Sequence, residues 1–164
     1  AMTLAQRMIV MNKGIAEQIG TPMEVFEKPA STFVASFIGS PPMNLVPVRI
    51  DNQGVVYNDR EMALHLPARL VPAALYGKKL ILGLRPEHAA LHTDGIPVEI
   101  EMIEILGSEQ LIHGRNGDHT VVVRTPTELT RDNPLHVGET IQVGLNEDYR
   151  LHWFDAETTK RIDV

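Results

Sequence analysis

The stretch Gln18 to Asn44, QIGTPMEVFEKPASTFVASFIGSPPMN, constrains the chain more than any other. It has room for two helices and forces both to be short. Thr21-Pro22-Met23-Glu24 opens the first: Thr21 can cap the free amides, Pro22 suits the first helical position, and Glu24 completes a capping box. Pro29 then disfavours helical geometry at Lys28 and stops it. Ser31 is the second cap, and Phe33, Val34, Phe37 and Ile38 fall on one helical face, which assigns the phenylalanines to a core. Gly39 fits a left-handed stop, and Pro41-Pro42 turns the chain into a run of strands.

A hairpin without a sheet leads into this stretch. Ala1 to Gln6 reads as the last turns of a helix that begins upstream. Arg7 to Asn12 and Ile15 to Ile19 are short strands around the tight turn Asn12-Lys13-Gly14. A lone hairpin is marginal in water, so residues 7–20 are expected to be the edge of a larger sheet and, when exposed, either to pair or swap with another chain or to be disordered.

Beyond Asn44 the pattern is β. Leu45 to Ile50 and Gly54 to Tyr57 flank Asp51-Asn52-Gln53, and Met62 to Leu66 is a further short alternation. Ala68 to Gly77 is ambiguous between a loop and a helical turn broken by Pro72. Lys79 to Leu84 is a buried strand running into Arg85-Pro86-Glu87-His88, and Ile96 to Leu106 is a long, half-buried, alternating one. Gln110 to Gly114 returns. Asn116-Gly117 signals a hairpin into His119 to Arg124. Thr140 to Leu145 and Arg150 to Phe154 complete the set, and Asp155 to Val164 reads as a frayed tail. Short strands with Gly and Pro turns argue for a mainly β sandwich or small barrel. Gly83-Leu84-Arg85-Pro86-Glu87 is echoed by Gly144-Leu145-Asn146-Glu147-Asp148, either by chance or as a pseudo-repeat of two sheet halves.

Composition removes several functions. The 164 residues contain no cysteine, which excludes disulfides, thiolate zinc sites and cysteine nucleophiles. No apolar run approaches the roughly 18 residues of a membrane span, and no signal-peptide pattern opens the chain. A net charge of −6 and an aromatic content of 5% oppose an OB-type nucleic-acid binder, which needs basic surface and stacking rings. There is no glycine-rich phosphate loop, GxSxG or HExxH. His88 and His92 are four apart but come after a strand and a proline, so no metal site is expected. Two clusters remain. Arg85, Glu87 and His88 form either a structural corner or a contact for an anion or partner. Trp153 and Phe154 are consecutive on a strand and point to opposite faces, so one is expected outside the core as an interface anchor.

Residues 1–44, AMTLAQRMIVMNKGIAEQIGTPMEVFEKPASTFVASFIGSPPMN, resemble the end of the nucleotide-binding domain in the sugar-importer class of ABC transporter ATPases, the maltose-importer type. GLRPEH, Gly83 to His88, resembles the C-terminal regulatory, or TOBE, region of that family. Within it, EILGSEQLIHGR (Glu104 to Arg115) and LHWFDAETTKR (Leu151 to Arg161) are most similar to the glycerol-3-phosphate importer branch. The resemblance covers nearly the whole chain. It implies an ATPase remnant over 1–20, a two-helix joint over 21–43, an OB-like regulatory barrel over 44–155 and a tail over 156–164. It further implies a homodimer, an ATPase domain and membrane permease subunits as partners, an inhibitory regulator, and a cytoplasmic place on the inner membrane face. The family's phosphate loop, magnesium carboxylates, signature motif and switch histidine would lie before Ala1. ATP and magnesium would belong there, and residues 1–164 would hold no cofactor and no catalytic residue. Relatives of the family use a similar β domain to bind molybdate, which is the alternative reading, although no known oxyanion set is matched here.

Overall fold

The local signals of residues 7–44 produce the elements they specify. The computed structural model describes residues 7–92, 94–146 and 150–164, and the helix expected at Ala1 to Gln6 lies outside them. Strands β1 (Met8–Asn12) and β2 (Ile15–Gly20) form a separate two-stranded antiparallel sheet. Both residues of its two-residue turn, Lys13 and Gly14, have positive φ, 51° and 81°. Helix α1 (Pro22–Glu27) is capped by the Thr21 hydroxyl, which accepts from the Glu24 amide at 3.1 Å. Helix α2 (Thr32–Phe37) is capped by Ser31 in the same way, from Val34. Val10 of the hairpin packs with Val25, Val34 and Ile38 into a small core of its own. Phe37 does not join it. It is 64% exposed and stacks on the partly buried Phe33. The helical face is wider than the hairpin that covers it, so the core assignment is corrected there.

The strands after Asn44 make two five-stranded antiparallel sheets. One has the order β12-β6-β3-β4-β5: β12 (His152–Asp155), β6 (Lys79–Leu84), β3 (Asn44–Ile50), β4 (Val56–Asn58) and β5 (Ala63–Leu64). The other runs β10-β9-β8-β11-β7: β10 (His119–Pro126), β9 (Glu109–Asn116), β8 (Ile96–Leu106), β11 (Thr140–Leu145) and β7 (Ala89–His92). The ambiguous Ala68 to Gly77 segment is two 3₁₀ turns, Ala68–Leu70 and Ala73–Leu75, separated by Val71 and Pro72. Between the sheets lies an aliphatic core in which Val46, Val48, Ile50, Leu80, Leu82 and Leu84 face Val98, Ile100, Val123 and Val143, with Trp153 among them.

Two crossings hold the sheets together. β6 leads through the turn Pro86–His88 into β7 of the other sheet, and β11 leads back to β12 of the first. The new strand pairs in each case with the strand of the opposite crossing: β12 with β6, Gly83 facing His152, and β7 with β11, Gly144 facing Ala90. The sequence echo of Gly83-Leu84 and Gly144-Leu145 falls on these two positions. Both glycines leave room for a neighbouring side chain. A Cβ on Gly83 would lie 2.5 Å from the Met43 sulfur, and one on Gly144 would lie 2.6 Å from the His92 ring. Buried amides add polar links. Asn44 donates to the Val122 carbonyl and accepts from its amide, both at 2.8 Å, while Asn58 donates to Asn116, which donates to the Pro97 carbonyl.

Three strand expectations change. The alternation of Ile96 to Leu106 buries Ile96, Val98 and Ile100 only. A bulge comes after Ile100, and Met102, Ile105 and Leu106 extend past the core. The hairpin at Asn116-Gly117 turns on Gly117 and Asp118, because Asn116 still pairs with His119 and its side chain is used inside. The end is not frayed. Asp155 caps the amides of Glu157 and Thr158, and the segment returns along β12 with Ile162 donating to the Trp153 carbonyl.

That return also explains Trp153 and Phe154. Trp153 is 4% exposed in the main core, and Phe154 is fully buried against Ala35 of α2 and Met43. The outer face of β12 is covered by the joint, so neither ring is an interface anchor. Replacing Phe154 with Ala should cost about 3–5 kcal/mol, measured by urea unfolding, and sedimentation of the folded variant should match that of the unmodified chain.

Candidate functional site

The corner after β6 is where the joint meets the sandwich. Arg85 leaves the strand and opens the turn Pro86–His88, and its side chain points inward, 1% exposed. One terminal nitrogen donates to the Ile38 carbonyl at 2.7 Å and the other to the Phe26 carbonyl at 2.9 Å. These carbonyls belong to the ends of α2 and α1, where backbone acceptors lack intrahelical partners and the helix dipole favours a cation. The guanidinium carbon sits 4.2 Å from the centre of the Phe26 ring, a cation–π contact. Nε has no hydrogen-bond partner among the described residues. Burial lowers the Arg85 pKa and Glu87 partly offsets this; the group remains a cation at neutral pH.

Gly39 makes the approach possible. Its φ is +107°, and a Cβ there would fall 2.9 Å from the Arg85 nitrogen and 3.2 Å from the Pro41 carbonyl oxygen. The left-handed stop read in the sequence therefore also opens the path for the guanidinium. Two further ties make the joint and the sandwich one body. The Gln18 side-chain amide donates to the Lys28 carbonyl and accepts from the Ala30 amide, fastening β2 to the linker between the helices. The returning segment 156–164 bonds the same linker, with Thr32 donating to the Thr159 carbonyl and Arg161 to that of Ala30.

The sequence-predicted set divides here. Arg85 is the structural corner: with its terminal nitrogens turned onto carbonyls, it has no face for an external anion, and that expectation is corrected. Glu87 is exposed, and His88 is half-buried at the rim of a cavity. Sequence reasoning missed His152. It lies 91% buried on the outer face of β12, and its Nδ1 is 3.0 Å from an Arg161 nitrogen. With Arg161 donating, the ring is the neutral tautomer that carries its proton on Nε2. Burial pushes its pKa down to about 4, helped by the positive charges of Arg161, Arg85 and His88. Nothing local in LHWFD announces this, because Arg161 and Arg85 reach it only through the fold.

Arg85→Met should loosen the joint more than the sandwich, since two helix-end carbonyls lose a charged donor. The expected cost is about 2–4 kcal/mol, seen as faster amide exchange over residues 8–38 with slow exchange kept in β3 and β6. The His152 shift also fixes a pH dependence. In the unfolded chain this ring titrates near its ordinary value of about 6.5, whereas the folded chain excludes the proton down to about 4. Stability should therefore fall as pH drops through that window, by up to about 1.4 kcal/mol per pH unit. Burial lowers the His88 pKa too, adding with the same sign. Urea titrations at pH 7 and pH 5 should show the loss, and His152→Gln should flatten it.

Comparison with known proteins finds two matching domain models that overlap at this corner. The model described as the MalK OB fold domain matches residues 39–89, and the TOBE domain model matches residues 82–154. Their overlap, 82–89, contains Arg85. Among curated relatives, the sn-glycerol-3-phosphate import ATP-binding protein UgpC of Bordetella avium is 56% identical over 162 residues, and that of Bordetella parapertussis 55% over 163. The Escherichia coli K12 protein of the same name is 47% identical over 165 residues. Each match covers 99% of this chain and 45% of the relative, so the chain spans about half the length of the proteins it matches. A solved structure of the cytoplasmic molybdate-binding protein ModG, with molybdate bound, is similar at 11% identity and a TM-score of 0.45, over 63% of this chain and 96% of that one. Such likeness carries no ligand chemistry across. The arginine corner joins the two matched modules: the chain carries the MalK OB fold and TOBE domains, and over nearly its whole length it is similar to sn-glycerol-3-phosphate import ATP-binding proteins.

Proposed function

We propose that this chain is the regulatory and dimerisation part of the ATP-binding subunit of an ABC importer for glycerol-3-phosphate or a related carbohydrate. One observation supports this most. The hairpin β1–β2 keeps Ile9, Met11 and Ile19 more than half exposed, at 57%, 52% and 52%, on a two-stranded sheet with open edges. An apolar patch on a sheet edge is suited to docking against a larger body. Here that body is the ATPase domain, which supplies ATP, magnesium and every catalytic residue. Arg85, Gln18 and segment 156–164 tie the hairpin and joint to the sandwich, so movement of a docked domain reaches the regulatory module without slack.

In this reading the module meets a second copy of itself and receives an inhibitory signal. The assembly sits peripherally on the cytoplasmic face through its permease subunits. The module performs no catalysis. Full-length protein reconstituted with its permeases should hydrolyse ATP in response to external sn-glycerol 3-phosphate. Arg85→Met should keep hydrolysis and lose much of that dependence. A wild-type complex indifferent to glycerol phosphate would overturn the substrate assignment, and an Arg85→Met complex that responds normally would overturn the transmission role. The isolated chain should sediment as a dimer, and Ile9→Asp with Ile19→Asp should render it monomeric.

A further inference from the structure

A cavity of about 830 Å³ opens beside the corner, between the linker after α1, the turn Ala68–Leu70, the start of β12 and the returning segment. Its charge is the reverse of the chain's. Lys28, Arg69, Arg150 and Arg161 line it against Glu27 and Asp163, a surplus of two cationic side chains in a chain of net charge −6. Among the described residues, only Arg161 of the four is in an ion pair, with Asp163 at 2.7 Å. Among the described residues no carboxylate lies within 4.0 Å of Lys28, Arg69 or Arg150. Three segments far apart in sequence therefore bring these cations to one concave surface, which raises the local concentration of anions.

The wall supplies two more features. His152, 91% buried, takes a hydrogen bond from Arg161 on Nδ1 and keeps a proton on Nε2, an uncharged donor amid cations. Burial first, and then the neighbouring Arg161 and Arg85, hold this ring in its neutral form. Leu70, Leu151 and Trp153 show the cavity only their edges, at 7%, 8% and 4% exposure, and make its floor apolar. Arginines around an apolar floor suit an anion with a carbon body, and the volume lies within the range of small-molecule sites. Several converging guanidinium groups favour the oxygens of a phosphoryl group.

We propose that this cavity is a binding site for a small phosphorylated organic anion, its phosphoryl group held by Arg69 and Arg150 and its carbon body over the exposed edges of Leu70, Leu151 and Trp153. Binding would bridge the 3₁₀ turn, β12 and the returning segment, all of which abut the joint. The site is a property of the chain itself and stands whether or not the module serves an importer.

Trp153 is the only tryptophan and lines the cavity, so its fluorescence reports occupancy. The isolated chain is titrated with sn-glycerol 3-phosphate, inorganic phosphate and glycerol. The expected result is a saturable change with both phosphates, tighter for the organic one, and none with glycerol. Arg69→Ala with Arg150→Ala should weaken binding roughly 10- to 100-fold, the loss of a charge-assisted contact. Both side chains are exposed, so the unliganded melting temperature should not move. Equal affinity for inorganic phosphate would overturn the carbon-body assignment. No saturable change with either phosphate, or undiminished binding by the double variant, would overturn the site.

Discussion

A single buried guanidinium decides how this molecule is assembled. Taking Arg85 out of water carries a large desolvation cost, which its contacts must offset. The offset comes from two helix-end carbonyls and the face of Phe26. Short helices expose unpaired carbonyls at their ends, and here two such ends converge on the strand exit that carries the one deeply buried charged side chain among the described residues. The joint is thus more than a linker. Its helices are too short to be stable alone, and they persist through the hairpin on one side and Arg85 with the Phe154 cluster on the other.

The sandwich is built on a parallel logic. Each sheet would have an unprotected edge beside its crossing, were it not that the strand arriving from the other sheet pairs there. Side chains approach closely at both crossings, those of Met43, His152 and Phe154 at Gly83 and that of His92 at Gly144. The echo of the two glycine–leucine pairs is therefore a repeat of a packing requirement. Arg85 stands after the first pair only, where the joint needs a donor; the second is succeeded by Asn146, whose amide bonds the His88 carbonyl.

Charge is distributed against the average. The overall acidity argued against a nucleic-acid groove, yet the cations of the linker, the 3₁₀ turn and the returning segment meet at one cavity. His152 sits at that meeting point, its pKa pushed down to about 4, chiefly by burial. The arginine the sequence singled out serves the interior, while those it passed over face the cavity.

Much was legible from residues alone because the signals were local. Thr21, Ser31, Pro29 and Gly39 act on backbone within a few positions, and they set both helices and their ends. Period-2 alternation located the main strands, and glycine-bearing turns placed the hairpins. Three things depended on contacts between distant residues. Trp153 and Phe154 are both buried because α2 covers the outer face of β12, which alternation along one strand cannot register. Segment 156–164 is ordered because Ala30 and Thr32 offer it partners about 130 positions away. Arg85 turns inward because Ile38 and Phe26 present bare carbonyls at that spot and Gly39 leaves room. Local sequence determined where helices and strands begin and stop, since caps, prolines and glycines bias nearby dihedral angles. Tertiary structure decided which polar side chains are buried, because the partners that make burial tolerable come from elsewhere in the chain.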